Sequence, residues 1–359
     1  MTYKAAPPKG ALVAVVTPVY NGAKEYRGEA HIETAIRAVQ AQTYRPLVHC
    51  ILDNASSDAT PDIIARYAAA KSDIPIITAR NPETIPFQKN WNAALRLMPK
   101  DTFYFRMLHA DDTMPPHAIE AMMDVARSED DIVMVAGGER LNGRDRPHFF
   151  PPECSVYEAS NMQARTLSDE AHVPSAHVLY RSDLLKEGEE FYSSEFVECG
   201  IHAVFRVLSG GGRAGFVHRH IADTIRYAAS GSLIQTLAKD VKAVIWEKLL
   251  FIEQYGPAAL SNAEYARVRG RFLRVYFRRL LWWAVSGRGH IVKRDLANLR
   301  ERGIRPSLWD YFASVAVYPA YLFAKRVSKP HAALPWPADA VKLGDRREAI
   351  ESSKRRLAG

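Results

Sequence analysis

Between Ala11 and Gly137 the chain alternates short apolar runs with amphipathic ones, and no other feature limits its fold so tightly. The runs Ala11–Thr17, Leu47–Leu52, Ile74–Thr78, Thr102–Leu108 and Ile132–Ala136 are dominated by apolar and β-branched residues and read as strands. Helices fill the gaps. Ile32, Ala35, Ile36 and Val39 recur at helical spacing, and Thr60 before Pro61 sets an N-cap ahead of a first-turn proline. Regular alternation of this kind predicts an α/β domain, a mostly parallel sheet covered on both faces. In such sheets ligands settle outside the carboxyl ends of the strands, so the residues that close each run carry the functional interest.

Beyond that region the pattern changes. From Pro147 to Tyr227 it loosens, with a strand near His177–Arg181, a helix over Phe196–Ser209, and two short strands flanking Gly210-Gly211-Gly212. After Ser230 nearly everything reads as helix. The expected division is a tail over 1–10, a main domain over 11–230 in two halves (11–137 and 138–230), a basic helical region over 231–328, and a loose extension over 329–359 rich in Pro, Ala and charge.

The net charge of +8 is concentrated: between Glu264 and Arg305 stand twelve Arg or Lys against three acids, so the rest of the chain is close to neutral. That excludes a general nucleic-acid-binding coat, and no reader module accompanies the basic segment. Three cysteines without a CxxC pair exclude a disulfide scaffold and suit a reducing cytosol. The N-terminus MTYKAAPPKG lacks a signal-peptide core. Leu308–Ala324 is nearly uncharged, yet Asp310 and Pro319 interrupt it and it falls short of the roughly 20 residues of a spanning helix.

Three strand ends carry candidate chemistry. The run FYFRMLHADDTMPP (Phe103–Pro116) stops at adjacent carboxylates, Asp111 and Asp112, whose mutual repulsion is best tolerated beside a cation or polar ligand. The first strand closes in VVTPVYNG, where Pro18 is expected to break the ladder and Tyr20 and Asn21 offer an aromatic face and an amide. The second closes in LDNASSDATP, where Asp53 can accept from a base or ribose, or can merely end the strand in an Asx-turn. Lys89 and Asn90 open the next helix within reach of a diphosphate or base, whereas Trp91 suits the core. Glycine-rich phosphate loops are absent from the strand-to-helix turns, which counts against dehydrogenases and P-loop enzymes.

Taken in order, PVYN (Pro18–Asn21), LDNASSDAT (Leu52–Thr60), KNWNAAL (Lys89–Leu95) and LHADDTMPP (Leu108–Pro116) closely resemble the inverting family-2 glycosyltransferases of the GT-A fold. The likeness is strong from Leu12 to about Arg127, weaker to about Ser232, and absent beyond. It implies a Rossmann-like nucleotide-diphospho-sugar transferase fold with a C-terminal helical extension, residues 11–137 binding the donor and 138–230 facing the acceptor. It further implies that Thr17, Pro18, Tyr20, Asn21 and Asp53 line the nucleotide pocket, while Asp111 and Asp112 hold Mn²⁺ or Mg²⁺ against the donor diphosphate. His109 stands where many members carry the first acid of a D-x-D, so Asp111 is favoured over Asp112 for the direct bond, and His109 either touches ribose or is an ordinary part-buried polar residue.

An inverting transfer also needs a general base. By the resemblance it comes from the start of a helix on the acceptor side, which here gives Glu198, with Glu195 in reserve; both acids also suit a helix N-terminus by dipole alone. Cys199 and Gly200 replace the Asp often found there. His218–His220 and Arg226 could approach the diphosphate or acceptor, but read sooner as surface polar groups. Transfer of a single sugar is expected, since neither Q-x-x-R-W nor spanning helices are evident. The resemblance points to a UDP-sugar donor and a glycan or lipid-linked acceptor, in bacterial surface polysaccharide synthesis. Arg267, Arg271, Arg274 and Arg278 on one helix side, with Leu273, Phe277, Leu280 and Ala284 on another and Trp282-Trp283 near the end, together with Leu308–Phe323 suggest peripheral contact with the inner face of the cytoplasmic membrane; the alternative is that these helices pack on the main domain and show a solvated arginine face. The competing functions are an inactive nucleotide-sugar-binding protein and a nucleotidyltransferase, the latter disfavoured because PVYN is no basic phosphate loop.

Overall fold

The computed structural model describes residues 7–26, 28–146, 148, 150–169, 173–224 and 243–327. Strands β1 (Val13–Val19), β4 (Leu47–Asp53), β5 (Ile76–Arg80) and β6 (Tyr104–Met107) run parallel in the order β5-β4-β1-β6, with a small hairpin β2 (Glu25–Tyr26) and β3 (Glu29–Ala30) beside the first loop. Helices α1 (His31–Gln40), α2 (Thr60–Ala69), α3 (Phe87–Leu95) and α4 (Ala118–Ala126) make the crossovers. Beyond β6 the sheet becomes mixed. Strand β10 (Leu179–Arg181) enters antiparallel between β6 and β7 (Ile132–Leu141), and β11 (Arg213–Thr224) continues parallel to β7. Short strands β8 (Arg144–Asp145) and β9 (Val156–Glu158) complete it antiparallel to β7 and β11.

All seven residues of β1 and of β4 are buried, as a central strand covered on both faces requires. One face packs Val13, Val15, Tyr104 and Leu179 against Ala35, Val39 and the apolar side of α4. The other packs Val16, Cys50, Phe105 and Met134 against α3, α5 (Ala159–Leu167) and α6 (Cys199–Ser209). Contact across the sheet is close where β11 passes α4: a Cβ on Gly215 would lie 2.5 Å from Val125 Cγ1 and 3.1 Å from Val135 Cγ2. Gly215→Ala is therefore expected to cost about 1–3 kcal/mol, read as a lowered midpoint in thermal unfolding. An unchanged midpoint would show that α4 can retreat.

Several expectations need correction. Pro18 does not break β1, which runs on to Val19 in register with β4 (Pro18 opposite Leu52). The Leu108 N–H bonds the Val16 carbonyl, so alternate residues of β1 face β6, and at Pro18 that strand has already ended. Its missing N–H thus costs no ladder bond. Strand β5 starts at Ile76, after Pro75, and α6 starts at Cys199, because Val197 and Glu198 are held in a loop ahead of it. The glycine run separates α6 from one twelve-residue strand, so a helix and not a strand leads into it. Gly211 and Gly212 take φ of +84° and +80°, which ends the helix instead of turning a hairpin.

The C-terminal region is helical, as expected: α7 (Ala243–Ala259), α8 (Asn262–Val285), α9 (Gly289–Glu301), α10 (Leu308–Ala316) and α11 (Tyr318–Val327). Phe251, Ile252 and Tyr255 of α7 pack on Leu167 and Phe205 of the main domain. The apolar side of α8 is used internally: Tyr276, Phe277, Leu280 and Trp283 are buried against Leu249, Ile291 and Leu299. Part of its basic side is tied up too. Arg271 donates to the Ser168 carbonyl, Arg278 to the Ser314 carbonyl, and Arg269 and Arg302 share Glu253. No helix among the described residues is long and apolar enough to cross a membrane. Arg226 and the expected tail 329–359 lie outside the described residues.

Candidate active site

The carboxyl ends of β1, β4 and β6 meet in one place, and two loops are laced together there. Asn21 sits in the left-handed region at φ 51°, where its amide is well suited; its N–H donates to Ser56 Oγ (2.8 Å) and its Oδ1 accepts from the Ser57 N–H (2.9 Å). Gly22 follows because a Cβ would meet Val19 at 2.6 Å. The Ala23 N–H then donates to Asp58 Oδ2 and Thr60 Oγ1, both at 3.0 Å. These bonds leave Tyr20 standing 53% exposed at the rim. Thr17 is fully buried with its hydroxyl 2.9 Å from His49 Nε2, so it supports the floor instead of lining an open surface.

Asp53 makes the Asx-turn that the sequence allowed. Its Oδ1 accepts from the Ser56 N–H at 3.0 Å, closing an Asx-turn. Its buried Oδ2 makes no hydrogen bond and lies 3.4 Å from the Arg80 guanidinium. Asn90 is buried, its Oδ1 accepting from Asn81, which also donates to Asn54 (2.8 Å); it ties the β4 and β5 loops to α3. Lys89, one residue earlier, is exposed.

Past β6 the chain turns through His109 to Asp112, whose N–H bonds the His109 carbonyl at 3.1 Å. His109, Asp111 and Asp112 each offer a ligand atom within 4.8 Å of the others. Asp111 is half-buried, and its carboxylate opposes the burial that pushes the His31 imidazole below its ordinary value. Asp112 is buried at 3% exposure, with Oδ2 3.5 Å from both His109 Nδ1 and His177 Nε2. Beneath them Arg106 is fully buried, donates to the Ile221 carbonyl (2.9 Å), and is pushed down to about 9 by burial, with the Asp112 charge opposing. Asp112 is thus enclosed by basic groups, while Asp111 faces outward. Two carboxylates and an imidazole at this spacing suit Mn²⁺, and the carboxylates alone suit Mg²⁺ with waters and donor oxygens completing the shell.

Three sets of contacts escaped sequence reasoning. His177 joins Asp112 from β10's approach, its Nε2 also 2.8 Å from Thr224 Oγ1. Trp91 packs against the core, as expected, and its ring also lies 4.7 Å from that of His109, tilted by 34°, and meets Tyr192 edge-on at 5.2 Å. Glu247 of α7 is buried and accepts from the Val197 and Glu198 N–H groups, each at 2.8 Å. None forms a local motif with the residue it supports.

Glu198 precedes α6 at its N-cap and is half-buried. The start of α6 lies against the turn that carries His177: a Cβ on Gly200 would sit 3.3 Å from Ser175 Oγ. Glu198 and the Asp112 cluster therefore flank one short turn. Glu195 is exposed and lines a cavity of about 470 Å³ with Phe196, Leu250, Glu253, Gln254 and Arg302, on the helical side. Cys199 is buried, its thiol pushed well above its ordinary value by burial. His218 and His220 are corrected from surface to interior, since β11 lies between β7 and β9; His218 Nε2 is 2.6 Å from the Cys154 carbonyl oxygen.

This architecture is the GT-A nucleotide-sugar transferase fold. Its likenesses include TarS (residues 1–349) of S. aureus in complex with UDP-GlcNAc, at a TM-score of 0.55 and 16% identity over 74% of this chain and 72% of that one. The mannosyltransferase PcManGT of Pyrobaculum calidifontis, in complex with GDP-Man and Mn2+, superposes at 0.52 and 14% identity over 90% of this chain and 91% of that one. Residues 14–188 match the family described as glycosyl transferase family 2, and that segment is a family-2 glycosyltransferase domain. The protein is accordingly a glycosyltransferase. No curated protein matches the chain in sequence.

Proposed function

We propose that the chain is a metal-dependent, inverting glycosyltransferase that moves one sugar from a nucleoside-diphosphate donor to a glycan or lipid-linked acceptor, in bacterial surface polysaccharide synthesis. The observation that carries this reading is the grouping of His109, Asp111 and Asp112 at the end of β6, beside the loops that follow β1 and β4. The donor complexes of the two fold relatives support a nucleotide-sugar, and UDP is favoured as its nucleotide.

In this reading Tyr20 stacks on the base, and Asp53 Oδ2 accepts from base or ribose. Asn21 holds the loop that shapes the pocket, and Lys89 meets the diphosphate from α3. Asp111 and Asp112, with His109 beside them, would hold Mn²⁺ or Mg²⁺, which when bound would supply positive charge to the diphosphate leaving group. Glu198 takes the proton of the acceptor hydroxyl. The freed oxygen pair forms the new bond to the anomeric carbon from the face opposite the diphosphate, whose bonding pair departs with it, so the configuration inverts. A place at the inner face of the cytoplasmic membrane suits a lipid-linked acceptor.

The test is release of nucleoside diphosphate from UDP-, GDP- and dTDP-sugars with Mn²⁺, followed by NMR of the sugar product. One donor is expected to be hydrolysed with inverted configuration, and chelation should abolish it. Retained configuration, or equal activity under chelation, would overturn the proposal.

A further inference from the structure

Of the twelve large apolar side chains that are exposed among the described residues, eleven fall between Leu281 and Phe323. Chance scatter over a soluble surface does not concentrate them so. On α10, Leu308, Trp309, Phe312 and Val315 follow at intervals of one, three and three residues and so share a face, while Ser314 and Tyr311 turn toward α8. Trp309 and Phe312 stack on each other at 5.2 Å and remain 70% and 61% exposed. Leu281, Trp282 and Val285 of α8 lie on the helix side of Arg278, which donates to the Ser314 carbonyl (3.2 Å) and covers the Tyr318 ring at 4.0 Å. The three helices thereby present one continuous surface.

From these observations we infer that this surface docks flat on an anionic phospholipid bilayer, with the α10 aromatics entering the headgroup region and arginines at its margin meeting lipid phosphates. Charge decides the occupant. From Leu281 to Phe323 the sequence has six Arg or Lys against three acids. Two of those acids are occupied: Asp295 is buried with Tyr276 and Arg294, and Asp310 closes a capping box with Ser307. Arg279 and Arg305 are exposed close to the patch, and the Arg288 guanidinium stacks on Trp282 at 5.0 Å. Aromatic and aliphatic groups ringed by cations match a negatively charged leaflet. The geometry sets the mode: α10 has nine residues, about 13.5 Å of helix at 1.5 Å each, far below a bilayer's hydrocarbon thickness, so it lies in the interface. The anchor is therefore α10 with the end of α8. Of the arginine helix face that the sequence suggested, Arg271 and Arg278 are engaged inside the protein, while Arg267 and Arg274 remain exposed.

Flotation of the full chain with vesicles of phosphatidylcholine and phosphatidylglycerol tests this, against vesicles of phosphatidylcholine alone. Binding is expected to the anionic vesicles, falling as salt rises. The double variant Trp309→Asp, Phe312→Asp should lose about tenfold or more in partitioning while keeping the wild-type thermal unfolding midpoint, since both side chains are exposed. Absence of flotation, or flotation equal in the variant, would overturn the inference. So would a doubled mass in light scattering that the same substitutions abolish, which would assign the face to a second copy of the chain. Flotation does not depend on donor turnover, so this result and that of the transfer assay can fail separately.

Discussion

Asp111→Asn is expected to lower donor hydrolysis and sugar transfer by about 100- to 1000-fold while leaving the unfolding midpoint nearly unchanged. The reasoning rests on what surrounds the two carboxylates. Asp111 is half-buried, so its substitution would remove the proposed metal ligand without opening the interior. Asp112 differs. Its Oδ2 lies between two imidazoles, over a fully buried Arg106, and Asn in its place would leave that arginine without its nearest compensating charge. Asp112→Asn should therefore lose activity and also destabilise the fold by about 1–3 kcal/mol. Mn²⁺ binding followed by electron paramagnetic resonance, alongside thermal unfolding, reads both effects. If Asp111→Asn kept full turnover and Mn²⁺ affinity, the assignment of the metal-binding acids would be lost.

The same contrast explains what the sequence could convey. Ladder and crossover were legible because β1 and β4 are buried on both faces, and a strand in that position must be apolar throughout. The acids at 111 and 112 were legible because a long apolar run ends on them. His177 was not, because β10 enters the sheet antiparallel from 65 residues beyond Asp112, and nothing local in Ser175-Ala176-His177 signals its destination. Pro18 misled for a related reason: whether proline breaks a strand depends on which neighbour its nitrogen faces, and that neighbour, β6, lies 86 residues on, at Tyr104. Trp91 was read as core since large aromatics usually are, and it does pack against the core. Its further contact with the His109 ring was not legible, because 18 residues separate the two.

Glu198→Gln should lower kcat by about 100- to 10,000-fold with the donor KM unchanged, because Gln keeps the side chain's size and removes only its capacity to take a proton. Water can stand in for the acceptor, so donor hydrolysis suffices as the assay, and the acidic limb of the pH–rate profile should vanish with the base. Placement separates Glu198 from its neighbour: Glu195 is exposed and lines the cavity on the helical side, so Glu195→Gln should leave kcat within about twofold of wild type. Glu247 provides the link from the helical extension to the chemistry. Its buried carboxylate fixes the Val197 and Glu198 N–H groups at 2.8 Å, so the segment that bears the proposed base is positioned by α7. Glu247→Ala is then expected to lower kcat through a displaced Glu198 whose pH profile retains its acidic limb. A Glu198→Gln enzyme with wild-type kcat and an intact acidic limb would remove the base from this loop, and with it the reason for α7 to grip Val197 and Glu198.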